Sequence, residues 1–124
     1  MVTQRRSPTR VLLVDPDSAI RRALARVLLA AGYDVATAED ARSAEAFAAS
    51  SSPEVVVAEL GAASELAGRK LGAGEPPFVV LAEAEAIERG FGSLEPRVSS
   101  ALVRGVAVPG LALAVARARE LSEL

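Results

Sequence analysis

The 124-residue sequence contains no cysteine and no histidine. These absences exclude disulfide bonds, thiol nucleophiles and imidazole bases, and they remove nearly every zinc or transition-metal site. No continuous apolar stretch approaches the roughly 18 to 20 residues that a membrane span requires. The basic start of the chain runs into Ser7 and Pro8 rather than into an apolar signal segment. We therefore expect a cytoplasmic domain that does not contact a membrane.

The charge of the chain is nearly balanced, with 14 basic and 16 acidic residues and a net charge of -2. This balance gives no electrostatic reason to expect nucleic-acid binding. The hydrophobic share of 51% is enough for one globular domain with a buried core. We expect residues 1–9 to form a flexible basic tail and residues 10–124 to form the domain.

Two short apolar runs each end in a carboxylate, Arg10-Val-Leu-Leu-Val-Asp15 and Pro53-Glu-Val-Val-Val-Ala-Glu59. Unbroken apolar runs of this length predict strands that are buried on both faces, as in a parallel sheet covered by helices. In open α/β sheets, ligands bind just outside the carboxyl ends of the strands. Asp15 and Glu59 are therefore predicted to face each other across one crevice.

The remaining sequence alternates between strand and helix patterns. Further strands are predicted at residues 33–38, 78–82 and 100–103, and helices at about 18–31, 41–49, 64–71, 83–89 and from 109 onward. Asp17 or Ser18 and then Asp40 are predicted caps, Gly32 ends the first helix, and Pro109 suits the first turn of the last. The apolar helix positions predicted to pack are Ile20, Leu24, Val27, Leu28, Ala31, Ala44, Phe47, Ala48, Leu111, Val115, Ala118 and Leu121.

This order predicts an α/β fold, a flavodoxin-like doubly wound sheet of five parallel strands in the order 2-1-3-4-5. Helices are expected on both faces. The third helix should be short or irregular, because four glycines fall between residues 61 and 76. The turn that follows the first strand, residues 15–18, contains no glycine, which argues against a dinucleotide site.

The segments Arg10-Val-Leu-Leu-Val-Asp15-Pro-Asp-Ser-Ala-Ile-Arg-Arg-Ala-Leu24 and Ala31-Gly-Tyr-Asp-Val-Ala-Thr-Ala38 resemble the opening of a bacterial response-regulator receiver domain. The resemblance covers about residues 10–124, and the first sixty carry most of it. It implies a two-component signalling fold with a phosphoacceptor aspartate after the third strand and magnesium held by acids after the first. It also implies a hydroxyl residue after the fourth strand and a Lys-Pro pair after the fifth.

The sequence departs from that pattern at most of the site positions. Glu59 stands where the resemblance places the acceptor aspartate, and Pro16 replaces the second acid of the pair that Asp15 begins. The remaining departures affect the positions that correspond to the switch residues. They are Ala82 for the hydroxyl residue, Ala101 for an aromatic residue, and Arg104 with Gly105 for the Lys-Pro pair.

Each departure leaves alternatives open. Glu59 could imitate a phosphorylated aspartate or merely fill the space. Asp17 could compensate for the missing metal ligand, or it could cap the first helix. The Arg104 fork could pair bidentately with Glu59, or it could point to solvent.

Taken together, these departures predict a pseudo-receiver that is not an enzyme and has no cofactor and no metal. Its acidic pocket would consist of Asp15, Asp17 and Glu59. Its partner would be another protein or a second copy, bound through the fourth helix, the fifth strand and the last helix. The alternative is a phosphoacceptor that uses Asp15 or Asp17 with altered metal binding. A weaker possibility is a small-ligand crevice between Asp15, Glu59 and Arg104.

Overall fold

A computed structural model describes residues 7–122, without the side chain of Ser122. It contains five parallel strands in one sheet: β1 (Arg10–Val14), β2 (Asp34–Ala38), β3 (Val55–Glu59), β4 (Phe78–Ala82) and β5 (Val98–Val103). Their order is β2-β1-β3-β4-β5. The predicted flavodoxin-like strand order is confirmed. Of the predicted tail, residues 1–6 lie outside the described part, and Thr9 is buried.

Helices cover both faces of the sheet: α1 (Ser18–Ala30), α2 (Ala41–Ser51), α3 (Leu60–Leu66), α4 (Ala84–Arg89), a 3₁₀ helix (Gly92–Arg97) and α5 (Leu111–Ser122). One core layer lies between the sheet and α2, α3, α4 and the 3₁₀ helix. The other lies between the sheet and α1 and α5. β1, β3 and β4 are buried on both faces, which explains their unbroken apolar sequences. No helix within residues 7–122 is long and apolar enough to cross a membrane.

Aspartates cap α1 and α2, as the sequence predicts. Asp17 Oδ1 accepts hydrogen bonds from the backbone amides of Ala19 at 2.8 Å and Ile20 at 3.1 Å. Asp40 Oδ1 accepts one from the amide of Ser43 at 2.8 Å. These bonds satisfy amides that the first turn of a helix leaves unpaired. Gly32, at φ +94°, follows α1 in the left-handed conformation predicted for it.

The two caps predict how stability depends on pH. The Ile20 amide lowers the pKa of Asp17 below its ordinary value of 3.8, and the Ser43 amide does the same for Asp40. Because both folded-state pKa values are depressed, the stabilisation is present above the unfolded value and is lost as pH falls through the folded value. We expect the urea midpoint to fall below about pH 4. Asp17→Asn with Asp40→Asn should flatten that fall, whereas an unchanged slope would contradict the assignment.

Several predicted boundaries are wrong, and each has a local cause. α3 begins at Leu60 rather than near 64, because Glu59 caps it directly after β3. Pro109 precedes α5 rather than starting it, since Gly110 takes φ +81° before the first helical turn. The 3₁₀ helix has no counterpart in the prediction. α2 and β5 are each two residues longer than predicted.

Four apolar helix positions that were predicted to pack are exposed, namely Val27, Ala31, Phe47 and Leu121. In α1 the buried stripe contains only Ile20, Leu24 and Leu28, which follow a strict spacing of four. Ala31 is the C-terminal cap of that helix and therefore lies beyond the packed turns. The predicted stripes were too wide, because the sheet buries only the centre of each helix face.

Candidate functional site

The carboxyl ends of the strands bring the predicted site residues to one edge of the sheet. Asp15 directly follows β1, Glu59 ends β3, Ala82 ends β4 and Arg104 directly follows β5. The parallel register keeps these ends level, with Val14 beside Ala58, Glu59 beside Leu81 and Ala82 beside Val103. The structure therefore places these four residues where an open α/β sheet has its ligand site.

Asp15 and Arg104 form a bidentate pair. Arg104 Nε donates to Asp15 Oδ2 at 2.9 Å, and Nη2 donates to Oδ1 at 2.6 Å. Asp15 is completely buried, and the Arg104 side chain is 25% exposed. The hydrogen bond to Asp15 raises the pKa of Arg104 above its ordinary value. Because a buried carboxylate needs a counter-charge, the two-point fork of arginine neutralises Asp15 within the protein.

Both predicted alternatives for Arg104 are therefore wrong. The guanidinium neither pairs with Glu59 nor points freely into solvent, since Asp15 holds two of its nitrogens. The backbone of Arg104 is also held in place, because its amide donates a hydrogen bond to the Ala82 carbonyl at 3.0 Å. Asp15 is the stronger partner because no water can solvate it, whereas Glu59 remains partly accessible.

Glu59 is the N-terminal cap of α3. Its Oε1 accepts a hydrogen bond from the Ala62 amide at 2.7 Å, and its Oε2 accepts one from the Gly61 amide at 3.0 Å. A Cβ at position 61 would lie only 2.8 Å from Oε1, so the glycine makes room for the carboxylate. The sequence Glu59-Leu-Gly61 at the end of a buried run was the signal for this cap, and the sequence prediction missed it.

The three acids of the predicted pocket have separate roles. Asp17 is exposed, and its carboxylate caps α1, so the choice left open between cap and ligand is settled as a cap. Its backbone amide donates to Asp15 Oδ1 at 2.9 Å. Pro16, between the two aspartates, is exposed and carries no side-chain oxygen. Among residues 7–122 no group of three acidic side chains is arranged to hold a metal ion.

The residues present do not fit magnesium. Mg²⁺ is bound through one or two carboxylates with waters in a near-octahedral shell. Both oxygens of Asp15 are hydrogen-bonded to the Arg104 guanidinium, which is itself a cation. Both oxygens of Glu59 accept backbone amides instead. A metal at this position would compete with a paired guanidinium and with a helix cap.

The positions that correspond to the switch residues carry small side chains. Ala82 is buried and Ala101 is half-buried in β5, opposite Val80. Gly105 follows Arg104 and is partly exposed. Beside Ala82 lies a cavity of about 340 Å³, to which Glu59 and Arg104 both contribute. The absence of larger groups at 61, 82 and 86 leaves this space open.

Among known proteins, the solved structures are the ones that show the fold. No protein-family model matches the sequence, and no curated protein matches it. Solved structures do match. A response regulator receiver domain from Clostridium thermocellum has a TM-score of 0.73 at 16% identity, covering 93% of this chain and 97% of its own. The chemotaxis response regulator CheY4 of Vibrio cholerae has a TM-score of 0.70 at 21% identity, covering 94% and 98%.

A third match is to NtrX from Brucella abortus, with a TM-score of 0.78 at 24% identity. It covers 94% of this chain but only 28% of the longer NtrX chain. The chain has the receiver fold. At these identities the likeness establishes the fold alone, and the function has to be argued from the site.

Proposed function

We propose that this chain is a pseudo-receiver, a phosphorylation-independent signalling module of two-component type that mediates protein–protein interaction and is not an enzyme. One observation carries the proposal: both carboxylates at the ends of the central strands are held by internal partners. Arg104 holds Asp15, and the α3 amides hold Glu59. A carboxylate with its oxygens engaged in this way is a poor nucleophile and a poor metal ligand.

Burial and the small switch residues support the same proposal. Asp15 is completely buried, so a phosphodonor in solution has no approach to it. Ala82 has no hydroxyl to follow a phosphoryl oxygen, and Ala101 has no ring to change position. A two-state switch requires groups whose arrangement the modification biases. In this chain alanine methyl groups occupy the places of those groups.

The expected interaction surface is the face built by α4, β5 and α5. β5 is an edge strand of the sheet, so its outer backbone groups are not paired with another described strand. Large apolar side chains are exposed on or next to these elements: Val103, Val106 and Leu113 are 55%, 58% and 57% exposed. Contiguous exposed apolar surface is typical of protein contact sites, so these side chains are the candidates for contact with a partner protein or a second copy.

The alternative is phosphoryl transfer to Asp17 or Asp15. Asp17 is the exposed member of the acidic pocket, which is the one observation in its favour. Against it, the Asp17 carboxylate caps α1, and phosphorylation would remove that cap. The small-ligand crevice between Asp15, Glu59 and Arg104 is not favoured, because Asp15 is completely buried and both of its oxygens are paired with Arg104.

Incubation with acetyl phosphate and magnesium, followed by intact-mass measurement, tests the proposal. We expect no species with the added mass of a phosphoryl group, because neither Asp15 nor Glu59 is available. A phosphorylatable receiver domain run in parallel is the positive control. A phosphoryl adduct that disappears in Asp17→Asn or Asp15→Asn would overturn the proposal and establish the alternative.

A further inference from the structure

A cavity of about 340 Å³ opens at the carboxyl ends of β3 and β4, against the start of α4. Its volume falls within the range of small ligand-binding pockets. Its lining combines apolar walls with a few charged groups. The lining residues are Glu59, Leu60, Gly61, Leu81, Ala82, Glu83, Ala86 and Arg104.

The charges on this cavity are not balanced. Arg104 contributes little free positive charge, because its guanidinium is paired with the buried Asp15. Glu83 precedes α4 but makes no capping hydrogen bond, and it is exposed. Each carboxylate oxygen of Glu59 accepts one hydrogen bond from a backbone amide of α3. A carboxylate oxygen can accept a further hydrogen bond. Glu59 and Glu83 therefore both give the cavity negative charge, and Glu83 has no cap hydrogen bond that competes with a ligand.

The apolar walls have a complementary role. Leu81 and Ala82 are buried at the end of β4, and Ala86 lies in the first turn of α4. Small side chains at 82 and 86 leave a passage between the strand end and the helix. The aliphatic stem of a long charged side chain packs on such surfaces while its charged head reaches polar groups.

We propose that this cavity binds a basic side chain, an arginine or a lysine, presented by the protein partner. The stem lies against Leu81, Ala82 and Ala86, and the cationic head lies between Glu59 and Glu83. An anionic group would meet two carboxylates, and its attraction to Arg104 is offset by Asp15. The inference rests on the proposed function, since it names the partner chemistry that the unused site accepts.

Titrations of the isotope-labelled protein with small probes test the inference by amide chemical shifts. The probes are n-butylguanidinium and n-butylammonium, which carry both stem and head, guanidinium alone, and butyrate. We expect saturable shifts at residues 60, 61, 82, 83 and 86 with the first two probes. Guanidinium alone should bind about tenfold more weakly, because it buries no methylene groups. Butyrate should give no saturable shift there.

Glu83→Gln should weaken n-butylguanidinium binding about three- to fivefold, the range of a partly exposed ion pair. Glu85→Gln is the matched control, because Glu85 is exposed in the first turn of α4, two residues from Glu83, but does not line the cavity. Ala86→Leu, which narrows the passage, should abolish the localised shifts. Equal binding of butyrate, equal binding by the Glu83 variant, or no saturable shift with n-butylguanidinium would overturn the inference.

The two proposals fail separately. Absence of probe binding in a chain that takes up no phosphoryl group refutes the cavity inference and leaves the pseudo-receiver proposal standing. Phosphoryl uptake from acetyl phosphate refutes the pseudo-receiver proposal, whatever the probes show.

Discussion

Replacing Arg104 with methionine is expected to lower the free energy of unfolding by about 2 to 4 kcal/mol. The substitution keeps an unbranched stem but removes the guanidinium, so Asp15 is left without a counter-charge. Asp15 is completely buried, and no water can replace the lost partner. Because the Arg104 side chain is 25% exposed, the expected loss extends below the range for a fully buried pair.

Urea unfolding at neutral pH measures this loss, and Arg117→Met, at an exposed arginine of α5, is the matched control. Arg104→Lys should be intermediate, because one ammonium group cannot make two parallel bonds to a carboxylate. Asp15→Asn should cost less than Arg104→Met, since a stranded Arg104 can turn towards water. A deficit no larger than that of Arg117→Met would contradict the buried pair.

The strand framework could be predicted from sequence because the central strands are buried on both faces. β1, β3 and β4 are unbroken apolar runs. In a small α/β domain, a short run of this kind is typical of a central strand that is covered by helices on both faces. Once they are assigned, alternation with helices and right-handed crossovers leaves few possible strand orders. β5 was predicted two residues short. It is an edge strand that is only partly buried, so its sequence alternates less clearly.

The site was predicted by position but not by contact. Parallel strands end at one edge, so the pattern placed Asp15 and Glu59 at that edge, and the resemblance added Ala82 and Arg104. Which carboxylate Arg104 contacts depends on burial, and the burial of Asp15 depends on tertiary packing around the end of β1. Nothing in the local sequence reports that. The sequence did contain Glu59 two residues before Gly61, which is the signal of the α3 cap. The prediction assigned Glu59 only to the end of a strand, and so it missed that the same residue also begins a helix.

The contact with α3 also changes how Glu59 can be interpreted. A glutamate at this position would imitate a phosphorylated aspartate if its charge were presented to groups that respond to it. In the structure both of its oxygens face α3 amides, and the groups that could respond at 82 and 101 are alanines. This arrangement favours the interpretation in which Glu59 fills the site and caps α3. The interaction free energy between Glu59 and Arg104 decides between this interpretation and the one in which Glu59 imitates a phosphorylated aspartate.

Glu59→Ala is expected to cost about 1 to 2 kcal/mol of folding stability, because α3 loses both cap hydrogen bonds. Glu59→Gln should cost less, since an amide oxygen can still accept one of them. Long-range attraction from Glu59 contributes only a lesser part of the raised pKa of Arg104, behind its pairing with Asp15. The losses from Glu59→Ala and Arg104→Met should therefore add to within about 0.5 kcal/mol.

A second cycle, on Asp15 and Arg104, supplies the comparison. Its coupling should reach about 2 kcal/mol, because each residue holds the other by two hydrogen bonds. Urea unfolding of the single and double variants gives both couplings under the same conditions. If the Glu59–Arg104 coupling equalled or exceeded the Asp15–Arg104 coupling, the Arg104 guanidinium would pair with Glu59 in solution. Asp15 would then be free, and the physical basis for a site without phosphotransfer would be lost.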